Sequence, residues 1–353
     1  MMTMATIDNF IIQLSKLATV TRSAEWWAFK GAPVLATAYA TAAILNVELI
    51  SLWQSLLFLL LSLAILAIFA NLLNDLTDRQ EDLLAGKSNG MVGRSPTFIV
   101  VAIISCLLPG FLAIGFLTKS PLALGIYVSN WLVFMAYSIS PIRLKQRGLL
   151  GVLADAIGAH LLPSLFAVVW IAHASARSIP LLWIILVGIW SLATGLRGIF
   201  WHQLNDLEND RVAEVNTFAV QTSAQTLHFL GKWVIFTVEI LSFAGMLFIS
   251  GNSLAAIFLG LYLATEWLRY YFWQIYSIIV FPFAKHRIIL VEYYHLFYPL
   301  AFLTIAAWQN SLNLAILVVN SLLYFNYIWQ WVRDLYALLR WDIPNHFNRL
   351  KES

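Results

Sequence analysis

Acidic residues are concentrated in two short stretches of an otherwise apolar chain. Residues 71–90 read "NLLNDLTDRQEDLLAGKSNG" and residues 202–220 read "HQLNDLENDRVAEVNTFAV", and together they hold eight of the 18 Asp and Glu residues. Both contain Leu-Asn-Asp-Leu, a weak sign of internal duplication. Carboxylates this close repel one another, and near hydrocarbon they are costly unless a cation neutralises them.

Helical spacing arranges most of these side chains on two faces. Residues three and four positions apart share a face of a helix. The first polar stripe comprises Asn71, Asp75, Asp78 and Asp82, and the second comprises His202, Asp206 and Asp210. Glu81 and Glu208 fall off these stripes. Mg²⁺ prefers oxygen ligands and binds through one or two carboxylates plus substrate phosphates, so facing stripes could hold a diphosphate through bridging Mg²⁺ ions. The alternative is that these are solvated carboxylates at helix ends.

The composition places these stripes in a membrane protein. The chain of 353 residues is 61% hydrophobic and 11% charged, with a mean hydropathy of +0.78, whereas soluble domains carry about 25% charged residues. The 15 Trp and 13 Tyr residues fit aromatic belts at two membrane interfaces. The single Cys106 excludes a disulfide framework. No zinc-binding motif or glycine-rich phosphate loop is present, and nothing indicates binding to nucleic acid.

Apolar runs long enough to span a bilayer recur along the chain. The ten candidates are about 24–45, 50–73, 97–118, 121–139, 149–173, 180–204, 230–249, 253–281, 289–308 and 312–332. We therefore predict an all-α polytopic bundle of nine or ten transmembrane spans. The predicted organisation is an N-terminal cytoplasmic or interfacial segment (1–22), a transmembrane domain (23–335) and a cytoplasmic C-terminal tail (336–353).

The distribution of basic residues orients the bundle. Of 21 Lys and Arg residues, only Lys119 and Arg177 lie on the side of the short loops. Positive charge favours the cytoplasm, so both acidic stretches are predicted to face it. We expect an integral, multi-pass protein, with a bacterial plasma membrane as its location.

Three motifs resemble those of the UbiA superfamily of intramembrane prenyltransferases. The first stretch matches the family's Asn-Asp-x-x-Asp-x-x-x-Asp pattern from Asn74 to Asp82, and the second matches its Asp-x-x-x-Asp pattern at Asp206 and Asp210, followed by Thr217. The segment "YSISPIRLKQRGLLG" at 137–151 resembles the family signature after the fourth span. The resemblance extends to about residue 220.

The resemblance implies a helical bundle, usually of nine spans, around a central cavity. It implies Mg²⁺-dependent transfer of an isoprenoid chain from a prenyl diphosphate to an acceptor that is often aromatic. One Mg²⁺ would be bound by Asp75, Asp78 and Asp82, and the other by Asp206 and Asp210. The residues expected to position the metal or the diphosphate are Asn71, Asn74, Lys87, Arg94, Tyr137, Arg143 and Lys145.

The chain departs from its relatives after the first motif. Many members have an Arg-Pro pair there, but this chain reads "GKSNGMVGRSP", which displaces Arg94. Glu214 stands where a Gly is common, and a tenth span would be additional.

Other ionisable residues in the apolar runs leave alternatives open. Arg197 could reach the diphosphate or pair with a carboxylate, and Arg22 could contact phosphates or have a structural role. His202 could orient an aspartate or help to deprotonate the acceptor. Asp155 could contact the acceptor, because intramembrane carboxylates are usually functional, or it could have a structural role. Glu292, in "VEYYH", could line the cavity or bind the acceptor.

The stripes favour a prenyltransferase with an aromatic or other lipophilic acceptor. A family member with a sugar-phosphate acceptor is an alternative. A secondary transporter is another, although transporters usually place carboxylates on broken helices near mid-membrane. A membrane assembly factor without chemistry would not need two aligned acidic stripes.

Overall fold

A computed structural model describes residues 21–84, 86–212 and 215–344. The protein is about 81% helical, which confirms the predicted all-α polytopic bundle. The helices of the first half, numbered in chain order, are α1 (Ser23–Trp26, Trp27–Gly31 and Ala32–Ile44), α2 (Leu49–Thr77), α3 (Arg79–Leu84), α4 (Pro96–Leu117), α5 (Pro121–Ser138), α6 (Leu149–Ala174) and α7 (Leu181–Asn205).

The second half contains shorter helices and a small pair of strands. Its helices are α8 (Leu207–Val212), α9 (Phe218–Gln221), α10 (Ala224–Ser250), α11 (Ser253–Trp273), α12 (Tyr293–Phe297 and Tyr298–Gln309), α13 (Ser311–Leu323) and α14 (Phe325–Asp342). Strands β1 (Tyr276–Ile278) and β2 (His286–Ile288) pair in parallel between α11 and α12.

Among the described residues, six helices are long and apolar enough to cross a membrane: α2, α4, α5, α6, α7 and α10. The bent pair α13 and α14 would bring the number to seven. The predicted count of nine or ten spans is therefore not confirmed.

Two candidate spans have different limits from those expected. The eighth, 253–281, ends as a helix at Trp273 because Gln274 adopts left-handed backbone angles, with φ 54°. The tenth, 312–332, is interrupted at Tyr324, where the axis turns by 78°. The turn lets α14 place Asp334 2.9 Å from Arg269 of α11.

Small side chains bring the central helices together. Helix α1 is rich in Ala, and Ala36, Ala38 and Ala40 have no exposed surface where α1 packs against α6 and α12. A side chain at Gly195 of α7 would lie 3.0 Å from the Ala156 backbone of α6, so glycine permits this close approach. By contrast, α4 turns large apolar side chains outward, as expected of a helix facing lipid.

The predicted terminal segments lie mostly outside the described residues. This applies to nearly all of the N-terminal segment 1–22 and to the end of the C-terminal tail 336–353. Helix α14 runs across the predicted boundary at residue 336 without a break.

Candidate active site

The two acidic stretches share one local construction. Asp78 lies between α2 and α3 with φ −103° and ψ 4°, and Asp206 lies between α7 and α8 with φ −94° and ψ 2°. The spacing predicted that each stripe lies on one unbroken helix. The structure instead interrupts the helix at Asp78 in the first stripe and at Asp206 in the second. Backbone bonds from Asp82 N to Asp78 O (2.8 Å) and from Asp210 N to Asp206 O (2.9 Å) keep the four-residue relation across each break.

Asp75 is the most enclosed carboxylate of the first stretch, with no exposed surface. Its Oδ1 lies 3.1 Å from Arg22 Nη1, and its Oδ2 accepts a hydrogen bond from Gly90 N at 2.8 Å. Asn89 donates from Nδ2 to the Asp75 carbonyl (2.8 Å) and to Asp82 Oδ2 (2.7 Å). The loop after α3 thus folds back and ties Asp75 to Asp82.

The loop between α5 and α6 supplies cations to Asp78. Arg143 Nη2 lies 2.8 Å from both Asp78 Oδ1 and Glu81 Oε2. Lys145 contacts the same Asp78 oxygen and donates to Asn74 Oδ1 at 2.9 Å. Burial lowers the pKa of Lys145, while the adjacent Asp78 carboxylate opposes that shift. The predicted diphosphate-binding residues Asn74, Arg143 and Lys145 therefore lie together.

The second stretch has fewer partners. Asp210 is 7% exposed, and Lys87 Nζ lies 3.8 Å from its Oδ1. Burial raises the pKa of Asp210, and the nearby Lys87 ammonium and Thr217 hydroxyl oppose that shift. Asp206 Oδ2 lies 4.0 Å from Nδ1 of the exposed His202. These carboxylates retain more free oxygen atoms than those of the first stretch.

Two contacts bring the stretches to one end of the bundle. Lys87, near the end of the first stretch, lies 3.8 Å from Asp210 of the second. Gly148 pairs as a β-bridge with Thr217, which joins the α5–α6 loop to the second stretch. The two acidic stretches therefore lie at the same end of the bundle.

The residues fit Mg²⁺ by donor chemistry. In residues 21–84, 86–212 and 215–344, no group of three or more His, Cys, Asp or Glu side chains is arranged to hold a metal by itself. Mg²⁺ usually needs only one or two carboxylates, with phosphates and water completing six ligands. Asp75, Asp78 and Asp82 on one side, and Asp206 and Asp210 on the other, offer that set once a diphosphate supplies the remainder.

Four residues that the sequence suggested for substrate binding contact groups other than the carboxylates of the two acidic stretches. Arg197 makes a buried ion pair with Glu239 at 2.6 and 2.8 Å, so pairing is the alternative that the structure shows. Glu292 lies 2.5 Å from Arg269, in an ionic cluster of α11, α12 and α14.

Arg94 is exposed and lies over the Phe98 ring at 4.9 Å. Asn71 donates to Ala67 O of its own helix at 2.8 Å. Glu214, the other departure from the family pattern, lies outside the described residues.

An apolar cavity begins one helical turn before Asn71. It lies between α1, α2, α5 and α6. Leu59, Leu63 and Leu66 of α2 form part of its wall. Such a space is suited to a hydrocarbon group that leads away from the polar site.

A model of the UbiA prenyltransferase family matches residues 34–279. The chain belongs to this family. The match confirms the resemblance and reaches beyond residue 220, to the region of β1. Membership of the UbiA family supports an intramembrane prenyltransferase.

Two solved structures are similar to this UbiA family member. One is a UbiA homolog from Archaeoglobus fulgidus bound to GPP and Mg²⁺; it is 15% identical, covers 90% of this chain and 99% of its own, and has a TM-score of 0.49. A second structure of a UbiA homolog from that organism is 16% identical, covers 67% of this chain and 87% of its own, and has a TM-score of 0.44. No curated protein matches the chain.

Sequence reasoning missed the residues that hold Asp75. Asn89 and Gly90 lie in "GKSNGMVGRSP", the segment where the chain departs from its relatives, so the family pattern did not point to them. An Asn-Gly pair is a common turn signal, and it could have predicted a chain reversal there. The sequence leaves open a phosphate contact for Arg22, and it could not predict the contact with Asp75, which joins residues 53 positions apart.

Proposed function

We propose that this protein is a Mg²⁺-dependent prenyltransferase that transfers an isoprenoid chain from its diphosphate to a lipophilic acceptor. The observation that carries this proposal is the pair of matching Asp-centred breaks, at Asp78 and Asp206, held at one end of the bundle by the Lys87–Asp210 contact. A single acidic loop would not provide carboxylates on both sides of a bound diphosphate.

The proposed reaction separates charge at the cytoplasmic end of the bundle. The bond between C1 of the allylic chain and a diphosphate oxygen breaks, and both electrons stay on that oxygen. The acceptor then bonds to C1 and releases a proton. Bound Mg²⁺ would stabilise the negative charge of the leaving diphosphate. Arg143 and Lys145 are placed to donate to it as well, since both already contact Asp78.

Residues near the carboxylates are candidates to bind and deprotonate the acceptor. Tyr137 is in the last turn of α5 and Asp155 is in the first two turns of α6, the helices joined by the loop that carries Arg143 and Lys145. Asp155 is a candidate to orient the acceptor or accept its proton, and the exposed His202 is a candidate to orient Asp206. The apolar walls would keep water from trapping the allylic cation.

Charge distribution supports a cytoplasmic active site. The loops that carry Lys87, Arg143 and Lys145 lie at the same end as both acidic stretches. Basic loops favour the cytoplasmic side, so we propose that the site faces the cytoplasm and opens to the bilayer. A bacterial plasma membrane remains our proposed location.

The direct test is an assay of purified protein in lipid with Mg²⁺, labelled prenyl diphosphates and a panel of acceptors. We expect Mg²⁺-dependent diphosphate release that is abolished by Asp75→Ala or Asp206→Ala. Glu208→Ala is the matched control, because the Glu208 side chain is 82% exposed and pairs with Arg211. Turnover retained in both aspartate variants would contradict the proposed function.

A further inference from the structure

The C-terminal helix α14 presents three different faces along its length. Side chains three and four positions apart share a face of a helix. One face is apolar and exposed, and it consists of Phe325, Trp329, Val332, Tyr336 and Leu339. One position further along the chain, or about 100° around the helix, lies a polar face formed by Asn326, Gln330, Arg333 and Arg340. The third face is turned toward the bundle. The match to the family model ends at residue 279 and does not include this helix.

Contacts on the third face fix the rotation of α14. Trp331 Nε1 donates a hydrogen bond to Thr265 Oγ1 at 3.4 Å. Asp334 Oδ2 accepts a hydrogen bond from Arg269 Nε at 3.1 Å, and both side chains are buried. Leu338, one turn after Asp334, has no exposed surface. The apolar face of α14 therefore points away from the bundle.

Both ends of α14 lie at the same end of the bundle. Near its start, the Tyr327 hydroxyl lies 2.9 Å from Nδ1 of His295, in the first turn of α12. At its other end, Asp342 Oδ2 accepts a hydrogen bond at 3.0 Å from Trp273, the last residue of α11. Helix α11 ends and α12 begins where β1 and β2 join them.

The length of α14 shows that it does not cross the bilayer. A helix of this length measures about 27 Å, close to the thickness of the hydrocarbon core, so its ends would reach opposite ends of the bundle if it crossed. The 78° turn at Tyr324 instead lays α14 across the end of α11 and the start of α12.

The acidic stretches lie at this same end of the bundle. His286 Nε2, on β2, lies 3.3 Å from Nε1 of Trp201, which precedes His202 of the second stripe. Arg287, also on β2, contacts Glu292 at 2.8 Å in the ionic cluster that holds α14. Helix α14 therefore lies at the membrane interface that we propose to be cytoplasmic.

The polar face distinguishes a helix in the interface from one in the hydrocarbon. Arginine is costly in hydrocarbon, whereas an interfacial helix places its apolar face among the acyl chains and its polar face among the headgroups. Trp329 is 57% exposed and Tyr336 is 61% exposed, and both residue types concentrate at membrane interfaces. The two outer faces of α14 thus match the two layers of an interface.

The polar face carries two exposed arginines. The Arg333 side chain is 64% exposed and lies 3.7 Å from Asp334, a carboxylate that Arg269 already neutralises. Arg340 lies over the Trp341 ring at 5.4 Å, and it has no ion pair among the described residues. Because exposed ion pairs contribute little, both charges are available to a further anionic partner.

We propose that α14 is an interfacial helix that binds anionic phospholipids. Its aromatic side chains lie among the acyl chains, and Arg333 and Arg340 pair with negatively charged headgroups. The ion pair between Asp334 and Arg269 holds α14 in the required rotation. A second copy packed against α14 is the competing occupant. It would offer these arginines no carboxylate from its own α14, since Asp334 and Asp342 both contact α11.

Lipid binding by the full chain tests the ligand. Dissociation constants are measured by native mass spectrometry of detergent-solubilised protein, titrated with phosphatidylglycerol or with phosphatidylcholine of the same acyl chains. We expect phosphatidylglycerol to bind at least about fivefold more tightly, because arginines near the headgroups attract net negative charge. The preference should fall as ionic strength rises. These measurements involve no prenyl donor, so their outcome is independent of the proposed function.

Matched substitutions assign the preference to α14. Arg333→Gln combined with Arg340→Gln should reduce it at least about threefold, whereas Arg333→Lys combined with Arg340→Lys should keep it. The control removes two exposed charges from the short loops, as Lys119→Gln combined with Arg177→Gln, and should leave the preference unchanged. Equal binding of the two lipids by the wild type, or an equal preference in the glutamine variant of α14 and in the control, would overturn the proposal.

Accessibility measurements test the position of α14. In a Cys106→Ala background, nitroxide labels are placed one at a time at the exposed positions of α14 in bilayers that contain phosphatidylglycerol. Collisions with O₂ and with a water-soluble nickel complex are then measured. We expect O₂ to reach the apolar face and the nickel complex to reach the polar face, alternating with the helical period along the whole helix.

Two other accessibility patterns would contradict this position. A smooth change in accessibility from one end of α14 to the other would show that the helix crosses the bilayer, and would overturn the proposal. Low access of both reagents to the apolar face would show that a second copy covers it, and would overturn the proposal as well.

Discussion

The two acidic stretches are built alike but are neutralised differently. In both, a long helix ends, one aspartate occupies the break, and a short helix follows. In the first, Asp75, Asp78 and Asp82 each contact a basic, amide or backbone donor. In the second, the partners are more distant: Asp206 lies 4.0 Å from His202 and 3.5 Å from Asn205 Nδ2, and Asp210 lies 3.8 Å from Lys87. We infer that the carboxylates of the first stretch are held in position before substrate binds. Those of the second stretch would gain their remaining partners when substrate binds.

The structure also changes the alignment of the two stretches. When the shared Leu-Asn-Asp-Leu sequence is aligned, Asp75 corresponds to Asp206. When the helix breaks are aligned, Asp78 corresponds to Asp206 and Asp82 corresponds to Asp210. Asp75 then has no counterpart in the second stretch. Its burial and its bonds to Arg22 and Gly90 indicate an additional structural role.

The largest expected effect is from removing either metal-binding face. Asp75→Asn and Asp206→Asn should each lower kcat by about 10³-fold or more, since each loses stabilisation of the leaving diphosphate. Only Asp75→Asn should also destabilise the fold, by about 1–3 kcal/mol, because its carboxylate holds Arg22 and Gly90. Diphosphate release and thermal unfolding of the same samples measure both effects. Equal destabilisation by the two substitutions would contradict the distinction.

A smaller effect is expected from Lys145, which serves the first stretch only. Lys145→Met should lower kcat/KM by about 10²-fold, because a cation near both Asp78 and the diphosphate is lost. The same substitution at the exposed Lys119 should leave kcat/KM unchanged. Steady-state kinetics with varied donor concentration provides the comparison. An effect of Lys145→Met no larger than that of Lys119→Met would show that Lys145 only supports the loop.

Lys87 tests the link between the stretches. Lys87→Met should raise KM for the donor by about tenfold at low ionic strength, since the Lys87 side chain is 38% exposed and lies 3.8 Å from Asp210. Salt screens partly exposed charges, so the difference from wild type should shrink at high ionic strength. An effect on kcat alone, without salt dependence, would assign Lys87 a different role.

The smallest effect is expected from the carboxylate outside the second stripe. Glu208→Gln should change kcat/KM by less than about twofold, because an exposed ion pair such as Glu208–Arg211 contributes little. A large loss of activity would indicate that Glu208 reorients toward the diphosphate when substrate binds.

The sequence predicts the residues of the candidate site, and the structure adds their arrangement. Helical spacing and family motifs point to Asp75, Asp78, Asp82, Asp206 and Asp210, and the structure gathers both stretches at one end of the bundle. Spacing alone could not predict the breaks at Asp78 and Asp206, because a periodic pattern does not encode the end of a helix when no Gly or Pro marks it.

The sequence also could not predict ionic contacts between residues that are far apart in the chain. Arg197 and Glu239 are 42 positions apart, and only the packing of α7 against α10 shows that they pair. The sequence leaves open whether Glu292 lines the cavity or binds the acceptor, and the structure shows that Arg269 and Arg287 both contact it. The π-helical turns Trp27–Gly31, Ile157–Leu161 and Tyr293–Phe297 could not be predicted either, since one added residue hardly changes the apolar pattern.

The number of bound metal ions tests most directly whether both acidic stretches bind metal. The number of Mn²⁺ ions bound in place of Mg²⁺ is measured with a saturating prenyl thiolodiphosphate, for the wild type and for an Asp206→Asn, Asp210→Asn double variant. The account predicts two ions per chain in the wild type, one for each acidic stretch, and one in the double variant. A single ion in the wild type, or two ions in the double variant, would contradict it.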